Sequence, residues 1–236
     1  MPKIPTGPLA IECDPPFLIV RLPTQCRTFG WSLSHPGFAD ASTIAWLEVR
    51  NADLTRDVDP LALLQQKLRE RGLADAVAFM TSRDVRRHHL AMREVEGLAA
   101  SCLATVGLAN GESVGRRRHA FPHAGTINTL VHVSRRLAVA ACIEAISIIA
   151  EARTVALIDT AALREGPRLT GTGTDCIVLA APLEGETETC AGLHTALGEA
   201  IGGAVYDAVF KGAEIWSADM REDFAASKSG LVAPPP

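Results

Sequence analysis

Aromatic side chains are scarce in this sequence, at 5% of all residues, with one tyrosine and three tryptophans. A protein that reads nucleobases by stacking usually carries more. No sign of charge dominates either. The formal net charge is -4, so no basic field draws in nucleic acid or anionic lipid, and neither partner is expected. Long apolar runs are missing. The longest, Leu137 to Ala150, is broken by Glu144 and Ser147 and is too short and too polar to cross a bilayer. There is no C-x-x-C, H-E-x-x-H or G-x-S-x-G pattern. The first two absences argue against a metal centre and the third against a serine elbow. The opening MPKIPTGPLA has no apolar leader stretch. Cys13, Cys26, Cys102, Cys142, Cys176 and Cys190 are therefore expected as reduced thiols of a cytoplasmic protein, with Cys142 and Cys176 in apolar, core-like runs.

Hydrophobic residues make up 47% of the 236 and charged residues 21%, enough for a sizeable core. The pattern predicts an irregular proline-rich arm over 1–16, one domain over 17–226 and a loose tail over 227–236. β-branched runs bounded by Gly, Asp and Pro predict strands at Phe17–Leu22, Thr28–Leu33, Thr43–Arg50, Ala76–Thr81, Leu98–Val106, Thr126–Val133, Val155–Asp159 and Cys176–Ala181. Helices are predicted at Pro60–Arg71, Ala138–Ala152 and Leu193–Phe210. The class is α/β, of α+β-like character, with mixed sheets covered by helices. The middle helix is apolar nearly all round, so it should be buried on most sides. Its polar residues Glu144, Ser147 and Glu151 share one face, read as a narrow solvent-facing strip. A weak echo, TIAWLEVR–helix–AVAFMTS against TINTLVHV–helix–TVALIDT, is compatible with a duplicated β-α-β-β unit.

Four segments combine small or polar residues with the ends of these elements. Thr170-Gly171-Thr172-Gly173-Thr174-Asp175 precedes a strand. Its glycines free the backbone to expose N–H groups toward an oxyanion, and Asp175 brings a carboxylate. A tight turn would use the same residues. Ala191 to Glu199 opens the last helix. His194 sits there in a first turn, where the helix dipole favours the neutral imidazole able to act as a base, although a lone histidine on an apolar face is more often a core residue. Gly125-Thr126-Ile127-Asn128 starts a strand beside Phe121-Pro122-His123, and Asn is disfavoured inside a strand unless it finds partners. Thr105 to Gly111 is a strand running into an Asn110-Gly111 turn. Two basic runs, Arg116-Arg117-Arg118-His119 and Arg86-Arg87-His88-His89, read as solvated loops.

Taken in order, TVGLANG (Thr105–Gly111), GTINTLV (Gly125–Val131), EARTVAL (Glu151–Leu157), TGTGTD (Thr170–Asp175) and LHTALGEAIGGAVYDAV (Leu193–Val209) resemble the adenosylcobinamide amidohydrolase family across roughly Phe17 to Phe210. Two places depart from the family pattern: Leu108 before Ala109-Asn110-Gly111, and Ser34-His35-Pro36-Gly37 where an Asn/Gly-rich turn is expected. The resemblance implies hydrolysis of the amide joining aminopropanol to the corrin ring's propionate arm, giving adenosylcobyric acid, with action on complete cobamides as an extension. The corrinoid is then substrate, and no cofactor is required. A non-catalytic corrinoid carrier and a metal-dependent amidohydrolase are the rival readings, and a homo-oligomer is compatible with all three. Within the family reading, Asp175 or His194 activates water or the Thr174 hydroxyl, and Asn128 with the Gly171 and Gly173 N–H groups holds the oxyanion. Thr105, Gly107, Asn110, Gly125, Thr126, Thr172 and Glu199 are expected to bind substrate. Asp175, His194 and Asn128 should then line one open cleft.

Overall fold

The structure, a computed structural model, describes residues 9–116, 125–161 and 168–228. Arg117, Arg118, His119 and Phe121-Pro122-His123 lie outside the described residues, as does the tail from 229 onward.

An eight-stranded mixed sheet forms the centre. Its strands are β1 (Ala10–Asp14), β2 (Phe17–Trp31), β3 (Gly37–Glu48), β4 (Val77–Thr81), β5 (His88–Val95), β6 (Leu98–Val106), β8 (Ile127–Val133) and β11 (Cys176–Pro182). They run β4-β3-β2-β11-β8-β6-β5, with β1 paired to β2. Two small ribbons join β7 (Gly111–Glu112) to β10 (Gly171–Thr172), and β9 (Arg136–Leu137) to β12 (Thr187–Glu188). The helices are α1 (Pro60–Glu70), α2 (Val139–Ala161) and α3 (Ala196–Lys228).

The two strands expected at Phe17–Leu22 and Thr28–Leu33 are one strand, β2, with its register interrupted between Arg21 and Cys26. Leu22-Pro23-Thr24-Gln25 occupies the break, where proline cannot donate to a ladder. Before the break β2 pairs with β1 and β3; after it, with β11 and β3. The bend folds the β2–β3 hairpin over, so that its tip reaches β4: Ser34 Oγ accepts the Ala78 N–H at 2.7 Å.

Side chains alternate across the sheet. Ile127, Val131, Ile177 and Leu179 face α2 and α3. Leu130, Leu103 and Val178 point the other way, onto Leu18, Trp46 and Phe79 from the curled β2–β3–β4 part. β8 is buried on both faces, all seven residues. A Leu-to-Ala truncation in such a core costs about 2–5 kcal/mol.

Several expectations change. Val155–Asp159 is not a strand; it extends α2 by two turns, because Ala156 and Leu157 continue the buried helical face begun by Ala145, Ile149 and Ala152. The α2 helix is buried on the side facing the sheet and α3. Glu144, Ser147 and Glu151 do lie exposed, but Val139, Ile143 and Val155 share that outer side, so the apolar surround is less buried than its composition implied. The duplicated unit survives only as two β-α-β units, β3-α1-β4 and β8-α2-β11, each closing a parallel pair. Residues 10–14 of the expected irregular arm form β1. The edge strand β5 begins in the run read as a solvated loop, with His88 and His89 as its first two residues. The last helix begins at Ala196 and continues through Lys228.

His132, on β8, is buried, and burial pushes its pKa down to about 4. In the unfolded chain a histidine takes up its proton near pH 6.5. Acid therefore favours the unfolded chain: the His132 contribution is intact above about pH 6.5 and is lost as pH falls toward 4. Unfolding free energy, measured by urea titration between pH 7 and 4, should decline with a slope that includes up to about 1.4 kcal/mol per pH unit from this residue, and H132Q should flatten it.

Candidate active site

Asp175 stands just before β11, with its side chain 8% exposed. Its carboxylate receives four donors. Oδ1 accepts the Ile127 N–H at 3.2 Å and the Thr172 hydroxyl; Oδ2 accepts the Thr172 N–H at 3.0 Å and Arg153 Nη1 at 3.0 Å. Burial raises its pKa above the ordinary carboxylate range, while Arg153, Thr172 and the Ile127 N–H pull it back down. With two donors on each oxygen, the lone pairs in the carboxylate plane are occupied. That geometry makes Asp175 an anchor joining the β10–β11 turn, β8 and α2. It leaves no lone pair for a water molecule to be activated. Gly171 is required here, because a Cβ on it would lie 2.6 Å from Asp175 Oδ2.

Around this anchor the polar residues of three segments interlock. Thr126 Oγ1 donates to Thr174 O at 2.7 Å, and Thr174 Oγ1 donates to Gly125 O at 3.1 Å. The Thr174 hydroxyl is therefore a tether. Gly173 N–H donates to Asn110 O at 3.2 Å, so it is already engaged and not free for an oxyanion. Gly111 and Glu112 pair with Thr172 and Gly171. A Cβ on Gly125 would sit 2.8 and 2.9 Å from the backbone nitrogens of Asn110 and Ala109, neither of which donates to an acceptor among the described residues. Only glycine leaves that space open.

Asn128 lies on the sheet face turned away from α2 and α3. Cross-strand register aligns it with Cys176 on β11 and Thr105 on β6, and Thr105 with His88 on β5. Asn128 is fully buried; its Nδ2 donates to Met80 O at 2.8 Å. The second N–H of that amide has no acceptor among the described residues. Thr105 Oγ1 is buried without a partner among the described residues, as is Asn110 Oδ1. Orphaned buried polar atoms carry a cost of about 1–3 kcal/mol each and gather here. Gly107 extends the β6–β8 pairing through its N–H to Thr126 O at 3.0 Å.

Asp175, Thr174, Asn128, Thr105, Gly107, Asn110, Gly125, Thr126, Gly171, Thr172 and Gly173 thus meet at one end of the sheet. His194 and Glu199 do not join them. His194 is exposed in the turn before α3, whose helix is capped instead by Thr195 Oγ1 accepting the Gly198 N–H. That turn is held by Glu144, which accepts the Ala191 N–H at 2.6 Å. Glu144 and Arg153, the partners of the two regions, are nine residues apart on α2, about 13 Å along its axis. The expected meeting of Asp175 with His194 does not occur.

Three participants were missed in the sequence. Arg153 lay in the EARTVAL motif, but reading Val155–Asp159 as a strand hid that Arg153 and Thr154 belong to a helix. Thr154 Oγ1 donates to Thr170 O at 3.1 Å. Trp31, 41% exposed, ties its Nε1 to Asp175 O at 2.7 Å; nothing local in the sequence marks it.

The architecture is that of a layered α/β protein whose polar loops gather at one sheet end. A family model described as adenosylcobinamide amidohydrolase matches residues 4–221. The chain belongs to that family, and so to the hydrolases of amide carbon–nitrogen bonds. No curated protein sequence matches it significantly. Among solved structures, it is similar to the PH0078 protein from Pyrococcus horikoshii OT3, at 14% identity and TM-score 0.41, covering 83% of this chain and 76% of that one. It is also similar to a Burkholderia sp. beta-aminopeptidase, at 12% identity and TM-score 0.41, covering 85% and 78%.

Arg153 is the test of the anchor. R153M leaves a buried carboxylate short of its charged partner and should destabilise the fold by about 3 kcal/mol. The double variant R153M/D175N removes both charges and should recover part of that loss in urea unfolding.

Proposed function

We propose that this protein hydrolyses the amide between aminopropanol and the propionate arm of adenosylcobinamide, releasing adenosylcobyric acid. Complete cobamides carry the same amide and form a second substrate class. The observation that carries this reading is the convergence of TVGLANG, GTIN, EART and TGTGTD, four of the segments shared with the family, on one end of the sheet. The broad, largely apolar corrin needs flat apolar support beside a small polar cluster. Trp31, 41% exposed and bonded to Asp175 O, suits that need.

In this reading Arg153 and Asp175 fix the loop geometry. The free N–H of Asn128 donates to the scissile carbonyl oxygen as negative charge develops there, the step at which preorganised donors count most. The N–H groups of Ala109 and Asn110 bind polar groups of the substrate over Gly125. No cofactor takes part, and His194 and Glu199 stay outside the chemistry.

Purified protein incubated with adenosylcobinamide should release free aminopropanol and adenosylcobyric acid, followed by mass spectrometry, at a rate unchanged by EDTA. N128A should lower kcat by about 100- to 1,000-fold, and H194A should leave it unchanged. Tight corrinoid binding without aminopropanol release would instead make the protein a carrier.

A further inference from the structure

The loop between β2 and β3 brings a hydroxyl and an imidazole into contact at the same end of the sheet. Ser34 Oγ lies 2.8 Å from His35 Nδ1 and accepts the Ala78 N–H at 2.7 Å. The other acceptor near that hydroxyl, Ala78 O, is 3.5 Å away, so the O–H is best placed to donate to Nδ1. The loop is fixed on both sides. Buried Ser32 accepts the His35 N–H at 3.1 Å and donates to His35 O at 3.2 Å, and Trp31 is pinned to Asp175 O. Both Ser34 and His35 remain partly accessible.

Their position relative to Asn128 follows from β4. Ser34 binds Ala78, and Asn128 binds Met80 O. Backbone groups two residues apart on a strand point the same way and lie about 7 Å apart. Ser34 and Asn128 therefore sit side by side along the free edge of β4. A serine that merely capped this edge would need only Ala78; the imidazole contact adds a proton acceptor.

We propose that Ser34 is the nucleophile and His35 its general base, an assignment that rests on the amidohydrolase reading of this site. The Ser34 oxygen attacks the amide carbon while its proton passes to His35 Nδ1. The carbonyl oxygen, now anionic, takes the free Asn128 N–H. The carbon–nitrogen bond then breaks, and His35 gives its proton to the departing amine, leaving an acyl ester on Ser34. Water attacks that ester and passes a proton to His35. The carbon–oxygen bond breaks and Ser34 regains its proton, so the balance is amide plus water giving acid plus amine.

Two measurements on the full chain test this. With adenosylcobinamide and hydroxylamine, the wild type should divert acyl-enzyme to the corrinoid hydroxamate. With a fluorophosphonate probe, peptide mass spectrometry should find the label on Ser34, and H35Q should label about 100-fold more slowly. H35Q keeps the Ser34–Ala78 contact, so it carries the test if S34A fails to fold. If the wild type releases aminopropanol while S34A or H35Q keeps the full rate, the nucleophile assignment is overturned and the function stands. If Ser34 labels in a His35-dependent way but no aminopropanol appears, the substrate reading fails and the nucleophile stands. Absence of label on Ser34 overturns the assignment in either case.

Discussion

A buried ion pair holds the working end of this protein together. Arg153 on α2 and Asp175 before β11 are 14% and 8% exposed at their side chains. Neither charge is hydrated there as it would be in water, so each depends on the other and on the hydrogen bonds around them. Through Asp175 the pair reaches the Ile127 N–H on β8 and both donors of Thr172. Three separate stretches of chain thus share one electrostatic tie. The alternatives to this arrangement leave a charge in a dry environment, and that penalty selects a single loop geometry.

The α2 helix acts as a strut between two such ties. Near one end Glu144 accepts the Ala191 N–H and steadies the entry to α3; further along, Arg153 holds the polar loops. Its inner face packs against the sheet through Ala145, Ile149 and Ala156. The spacing between the two loop regions is therefore set by helix rise, not by loop length, and explains why polar motifs at both places do not amount to one site.

Much of the sheet was legible in the sequence because β-branched runs and their breakers are local signals. TIAWLEVR, TINTLVHV and CIVLAA became β3, β8 and β11 for that reason. TVALIDT was misread because Val155 and Ile158 carry strand propensity, while the buried face supplied by Ala152, Ala156 and Leu157 keeps the segment helical; tertiary packing outweighed propensity. Of the candidate site, the clustering of TGTGTD with GTIN and TVGLANG could be anticipated. The distance of His194, and the nearness of Ser34 to Asn128, could not. Both depend on how strands are ordered and bent in space, and Pro23, which bends β2, gives no sign of what the bend will bring together.

That bend has a bearing on solubility. β4 is an outer strand of the sheet, and such a strand offers unpaired backbone groups to other molecules as a template for edge-to-edge association. Here the outward groups at Ala78 and Met80 are covered by two side chains, Ser34 and Asn128, in place of another strand. Side chains block intermolecular strand addition without closing the sheet into a barrel. The β2–β3 loop therefore serves the edge as well as its own hairpin, so a substitution at Ser34 exposes backbone groups of a strand more than forty residues away in sequence.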